Sequence, residues 1–97
     1  MWARITTFQF PADDVDKAIA QLHRVADGFL AERGLKRLDL LVNRRTGAAV
    51  TFTCWESEEA LRASEDDAER ARSDVVLEVL GWVQDVEEYE LLRDEQL

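Results

Sequence analysis

Residues 35–60, LKRLDLLVNRRTGAAVTFTCWESEEA, have the pattern of two strands joined by a tight turn and followed by a helix start. Leu35 to Asn43 predicts a strand with Leu38, Leu40 and Val42 on one face. Asn43-Arg44-Arg45-Thr46-Gly47 has the composition of a hairpin turn, with Gly47 supplying a positive φ. Ala48 to Trp55 predicts the returning strand, where Val50, Phe52 and Cys54 alternate with Thr51, Thr53 and Trp55. Ser57 then offers a hydroxyl to the free N–H groups of a new helix. Glu58 and Glu59 stand in its first turn, where the helix dipole favours negative charge.

Towards the N-terminus, residues 2–10 are rich in β-branched and aromatic types and predict a strand. Pro11 ends it, because proline cannot donate to a sheet ladder. Asp13 or Asp14 is placed to cap a helix. From Val15 to Leu30 apolar residues recur at three- and four-residue steps, one stripe along about five turns. Gly34 suits the left-handed residue beyond that helix. Towards the C-terminus, Ala60, Leu61, Ala63 and Ala68 form a weak stripe. After a break near Ser64–Asp67, Ala71, Val75, Val76, Val79 and Leu80 form a stronger one. Gly81 stops the helix, Trp82 to Leu92 predicts a fourth strand, and Arg93 to Leu97 is a polar tail. The order is β-α-β-β-α-β. This is an α+β, ferredoxin-like arrangement, with a four-stranded antiparallel sheet and the helices on one face.

Ninety-seven residues suffice for one domain, 1–97, with a thin core. The net charge of −9 is uneven: residues 1–55 carry eight Lys/Arg against six Asp/Glu, residues 56–97 four against fifteen. So acidic a chain repels phosphate backbones and anionic lipid surfaces, which argues against nucleic acid and membrane partners. The opening Met1-Trp2-Ala3-Arg4 lacks a signal-peptide pattern, and the expected compartment is the cytoplasm. Arginine outnumbers lysine ten to two, a compositional hint of a GC-rich bacterial genome. One cysteine, Cys54, and one histidine, His23, leave no material for an internal disulfide or a multi-histidine metal site. No cofactor and no metal are expected. His23 reads as a surface or helix-edge residue and Cys54 as a small buried hydrophobe. Glu87, Glu88 and Glu90 alternate between sheet faces and make no common ligand set.

The sheet's second face bears on function. If Leu38, Leu40, Val42, Val50, Phe52 and Cys54 face the helices, the opposite face mixes aromatic with polar groups. A contiguous aromatic patch is uncommon on a monomer. Two such sheets packed face to face would close a barrel between two chains, so a homodimer is expected. Tyr89 to Leu97 would reach across to the partner, and Trp2 and Trp55 would pack at the interface. Alternation then gives Arg4, Thr6, Phe8, Arg37, Thr51, Thr53 and Trp55 as the wall of a cavity at the barrel mouth, between the uncovered face and helix two. Rings there supply stacking surface and a few donors orient an anionic or phenolic group. Asp39 competes for Arg37 or Arg4 as a structural ion pair.

The segments Leu40-Leu41-Val42-Asn43-Arg44-Arg45-Thr46-Gly47 and Val50-Thr51-Phe52-Thr53-Cys54-Trp55-Glu56-Ser57-Glu58-Glu59-Ala60 resemble the dimeric α+β barrel proteins. Among these they are most similar to the antibiotic-biosynthesis monooxygenase-like domains. The strand-end Trp-Glu-Ser-Glu-Glu-Ala before a helix is the most distinctive piece, and it marks fold better than chemistry. The resemblance implies a family of cofactor-free oxygenases of polycyclic phenols, haem-degrading enzymes and members without known activity. The haem-degrading pattern is not matched: Leu61 to Val76 holds neither its Trp nor its His, and Thr6 and Thr7 stand where it has Asn. Trp55 alone carries over from the oxygenases. Two readings follow: a dimeric domain binding a small aromatic molecule without catalysis, and a cofactor-independent monooxygenase of a phenolic or polyketide-like substrate.

Overall fold

The computed structural model describes residues 1–97. Four strands, β1 (Trp2–Gln9), β2 (Leu35–Asn43), β3 (Ala48–Trp55) and β4 (Trp82–Glu90), form one sheet in the order β2-β3-β1-β4. Every pairing is antiparallel. Helix α1 (Val15–Phe29) follows β1, and α2 (Glu58–Ala63) and α3 (Glu65–Val79) connect β3 to β4. The helices lie on one face, and the fold is the ferredoxin-like β-α-β-β-α-β arrangement expected from residues 35–60.

Local chemistry sets the element ends. The Ser57 hydroxyl accepts the Ala60 N–H at 3.0 Å and caps α2. No aspartate side chain caps α1; a short 3₁₀ turn over Ala12–Asp14 leads into it instead. Helix α3 ends on Leu80 in the left-handed conformation at φ 50°, not on Gly81. Gly81 is needed for space: a Cβ there would stand 2.3 Å from the Phe10 ring. Gly47, at φ 81°, turns the hairpin with no room for a side chain, since a Cβ would meet the Phe10 carbonyl oxygen at 2.1 Å.

The core lies between sheet and helices. Phe8 and Phe10 stack with ring centroids 5.6 Å apart. Around them pack Ala18 and Leu22 of α1, Ala49 of β3, and Val75 and Val79 of α3. These positions occur at helical spacing on α1 and α3 and at alternating spacing on β1, so amphipathic periodicity carries over into burial.

The hairpin register decides which side chains share a face. Four residues, Arg44 to Gly47, separate the paired Asn43 and Ala48, so even positions of β2 stand opposite odd positions of β3. Leu38 lies opposite Thr53 and Leu40 opposite Thr51, while Arg37 lies opposite Cys54 and Leu41 opposite Val50. Leu38 and Leu40 do face the helices, and they take Thr51 and Thr53 with them. The expectation that Val50, Phe52 and Cys54 face the helices is therefore incorrect. They lie on the open face, with Ile5 and Thr7 of β1 and Arg37, Asp39 and Leu41 of β2. Cys54 is nonetheless fully buried, as expected of a small hydrophobe. The chain after β4 returns over this end of the open face: the Leu91 N–H donates to the Met1 carbonyl at 2.8 Å, and Asp94 accepts from Arg37.

Candidate functional site

Between the sheet and the α1–α3 pair lies a small cleft that opens to solvent. The sheet contributes Arg4, Thr6 and Phe8 from β1, Leu38 and Leu40 from β2, and Thr51 and Thr53 from β3. Helix α1 contributes Leu22, Val25, Ala26 and Phe29; helix α3 contributes Ala68, Ala71, Arg72 and Val75. The lining is an apolar slot with three threonines along its floor and two arginines.

Five of the seven residues expected to wall a site, Arg4, Thr6, Phe8, Thr51 and Thr53, thus come together in one cavity. Their side of the sheet is the helix side and not the open one. The cause is the hairpin register: once Leu38 and Leu40 face the helices, their cross-strand neighbours must do so as well. Arg37 does not join them. It sits on the open face, half exposed, with its Nε donating to Asp39 Oδ2 at 2.7 Å and Nη1 to Asp94 Oδ1 at 3.2 Å, its guanidinium 5.6 Å from the Phe52 ring centroid. This is the ion pair that Asp39 offered as an alternative to a ligand contact. Trp55 lies on the helix side but outside the wall of this cavity; it is fully buried, and its indole N–H donates to Thr53 Oγ1 at 3.0 Å. Trp55 therefore belongs to the interior of one chain and not to a sheet-to-sheet interface. His23 is exposed on α1, beside a shallow surface hollow lined by Ile19, Leu40 and Val42.

Arg4 is the unusual member. It is only 3% exposed, yet it is a cation in the middle strand of the sheet. Its guanidinium lies beneath the α2–α3 junction. Nη1 donates to Ser64 Oγ at 3.1 Å, and Nη2 donates to the Leu61 carbonyl at 3.0 Å and to Glu65 Oε2 at 2.8 Å. Glu88, directly across on β4, stands 3.5 Å away and also accepts from Arg62 at 2.5 Å. Arg72 Nη2 donates to the other Glu65 oxygen at 3.4 Å. One carboxylate is thus bracketed by two guanidinium groups. Burial pushes the Glu65 carboxyl up, but the charge of Arg4 and the hydrogen bond from Arg72 outweigh it and hold the group below its ordinary value. Two buried nitrogens of the pair, Arg4 Nε and Arg72 Nη1, have no acceptor.

Sequence reasoning found the break near Ser64 but not the roles of Ser64, Glu65, Arg72 and Glu88. Arg72 had a legible signal: it sits four residues after Ala68 and three before Val75, a charge inside the apolar stripe of α3.

Known proteins agree with this architecture. A candidate antibiotic biosynthesis monooxygenase from Deinococcus radiodurans superposes with a TM-score of 0.81 over 100% of this chain and 98% of its own, at 14% identity. The heme-degrader MhuD from Mycobacterium tuberculosis, solved with two hemes bound in its active site, gives 0.77 over 99% of this chain and 100% of its own, at 19% identity. The chain has the fold of the antibiotic biosynthesis monooxygenase-like domains. At these identities the likeness concerns fold, and no family model matches the sequence. Two uncharacterized Mycobacterium tuberculosis proteins are 33% identical over 92 residues, 94% of this chain; the chain spans 41% of their length. No helix of the chain is long and apolar enough to cross a membrane.

Proposed function

We propose that the protein is a homodimeric, monooxygenase-like domain that binds a small, flat, largely apolar molecule between its sheet and its α1–α3 pair. One observation carries this reading: an apolar slot, lined by Phe8 and Phe29, has three threonine side chains, Thr6, Thr51 and Thr53, on its sheet side. A core that only had to fold would fill that slot with side chains, since interiors are close-packed. The open face supports association. Ile5, Leu41, Val50 and Phe52 form an aliphatic and aromatic surface on the side without helices, and Leu41 is 55% exposed. A second copy packed there by two-fold symmetry would close the barrel.

The lining favours binding over acid–base catalysis, because none of its residues is a His, Cys, Asp, Glu or Tyr that could take a proton from a substrate. A monooxygenase reading needs a substrate acidic enough to ionise unaided. Haem does not fit this cavity: no lining side chain is an iron ligand, and the sole imidazole, His23, is exposed on α1. The test is mass spectrometry of the protein purified from its own cells and denatured, followed by thermal melting with the recovered compound. A bound aromatic that raises the melting temperature is expected. A protein that releases nothing and melts unchanged with a panel of planar aromatics would remove the binding reading. Oxygen uptake with a phenol would replace it with the catalytic one.

A further inference from the structure

Two hydroxyls on the floor of the slot have no partner. Thr6 of β1 and Thr51 of β3 stand directly opposite one another on the two inner strands of the sheet, and both line the cleft. We infer that they are the polar anchor for the bound molecule, and that this molecule is uncharged and presents a carbonyl oxygen to them. This rests on the ligand-binding reading above and names the chemical class of that ligand.

Residue choice is the first argument. A helix-facing position in the middle of an inner strand is a core position, and valine would fill it with a similar shape and no hydroxyl to desolvate. The next helix-facing pair, Phe8 and Ala49, is apolar and buried. Thr6 keeps a hydroxyl there although it is only 3% exposed. Hydrogen bonding is the second argument. Of the three threonines Thr53 alone is engaged, accepting the Trp55 indole N–H at 3.0 Å. The side-chain polar atoms that are both sealed from solvent and without a partner are Arg4 Nε and Arg72 Nη1. The unbonded hydroxyls of Thr6 and Thr51 therefore keep accessible surface, and the space they line is the cleft. Register is the third argument. Directly opposed residues of an antiparallel pair hold their Cβ atoms about 4.5–5.5 Å apart. One oxygen seated between the two hydroxyls takes a hydrogen bond from each, and a carbonyl oxygen has two lone pairs for them. Charge is the fourth argument. At the α2–α3 junction Arg4, Arg62 and Arg72 are paired with Glu58, Glu65 and Glu88, three cations with three carboxylates. An ion entering the slot would lose its water with no counter-charge to replace it. An uncharged carbonyl exchanges hydrogen bonds with water for hydrogen bonds with the threonines.

The experiment compares acetophenone with α-methylstyrene, in which a methylene group replaces the carbonyl oxygen, and with benzoate, which adds a charge. NMR titrations are made on the wild type, Thr6→Val and Thr51→Val. The quantity read is the Kd of α-methylstyrene divided by that of acetophenone, since a change in packing common to the two compounds cancels in it. Each valine variant should lower this ratio about three- to tenfold, the worth of one neutral hydrogen bond, while binding α-methylstyrene as the wild type does. The wild type should bind benzoate at least about tenfold more weakly than acetophenone. Alanine replaces valine at either position if the valine variant melts below the assay temperature. A ratio unchanged in either variant, or benzoate bound as tightly as acetophenone, overturns the hydroxyl anchor and leaves the ligand-binding reading standing. Binding of none of the three compounds overturns both.

Discussion

Replacing Arg4 by methionine tests how the site is built into the fold. The substitution keeps an unbranched side chain in the middle strand and deletes the guanidinium. Three hydrogen bonds disappear, to Ser64, Leu61 and Glu65. Abandoning a buried charge by removing its partner usually costs ~3–5 kcal/mol. Here Ser64 Oγ and Glu65 Oε2 each lose a donor, but no carboxylate is left without a cationic partner. The Leu61 carbonyl still accepts from the Ser64 hydroxyl at 2.7 Å, Glu65 keeps Arg72, and Glu88 keeps Arg62. The loss should therefore be smaller, about 2–3 kcal/mol, set by charge-assisted bonds of ~1.5–3 kcal/mol each that do not add in full. For a domain this size that corresponds to a fall in melting temperature of about 10–20 °C. Urea unfolding of wild type, Arg4→Met, Ser64→Ala and the double variant gives the loss and the Arg4–Ser64 coupling, about 1 kcal/mol. All four must be measured at one chain concentration, because a dimer's stability depends on it. If Arg4→Met is as stable as the wild type, desolvation of the guanidinium offsets its bonds, and the claim that Arg4 ties β1 to the α2–α3 junction is wrong.

Three further outcomes can be checked. Phe52→Glu places a carboxylate at the centre of the open face and should weaken self-association about a hundredfold or more; sedimentation showing one chain's mass for the wild type at micromolar concentration would remove the dimer. Gly47→Ala forces a Cβ onto the Phe10 carbonyl at φ 81° and should cost about 2–3 kcal/mol; an unchanged urea midpoint would contradict the turn geometry. The Glu65 carboxyl is held below its ordinary value of 4.5 in the folded chain, so its ionised form stabilises the fold at higher pH and that contribution is lost as pH falls through the carboxylate range. The stability difference between wild type and Glu65→Gln should accordingly be constant above about pH 6 and shrink below it, and a difference independent of pH would count against the Arg4–Glu65–Arg72 arrangement.

Every strand and helix of this protein was legible in its sequence within about two residues, including the break at Ser64 and the four-strand order of elements. Period-two and period-3.6 patterns report which residues share a side, and Ser57, Gly47 and Pro11 mark ends by local chemistry that needs no tertiary context. The grouping of Arg4, Thr6, Phe8, Thr51 and Thr53 came from alternation alone, and the chain does bring these five together.

What alternation leaves open is which side of the sheet the helices cover. Both faces of β3 are apolar enough to be core: Val50, Phe52 and Cys54 on one, Ala49, Trp55 and two threonines on the other. A one-residue change in hairpin pairing exchanges them. Only the folded hairpin, with four residues between Asn43 and Ala48, fixes that pairing, and with it the fate of Arg37 as a surface ion pair. The contacts of Arg4 with Ser64, Glu65 and Glu88 join residues 60 to 84 positions apart. No local pattern encodes such a meeting. It arises because packing α2 and α3 over β1 leaves a buried cation that must find its partners there, and the two N–H groups that find none are visible only once that packing is complete.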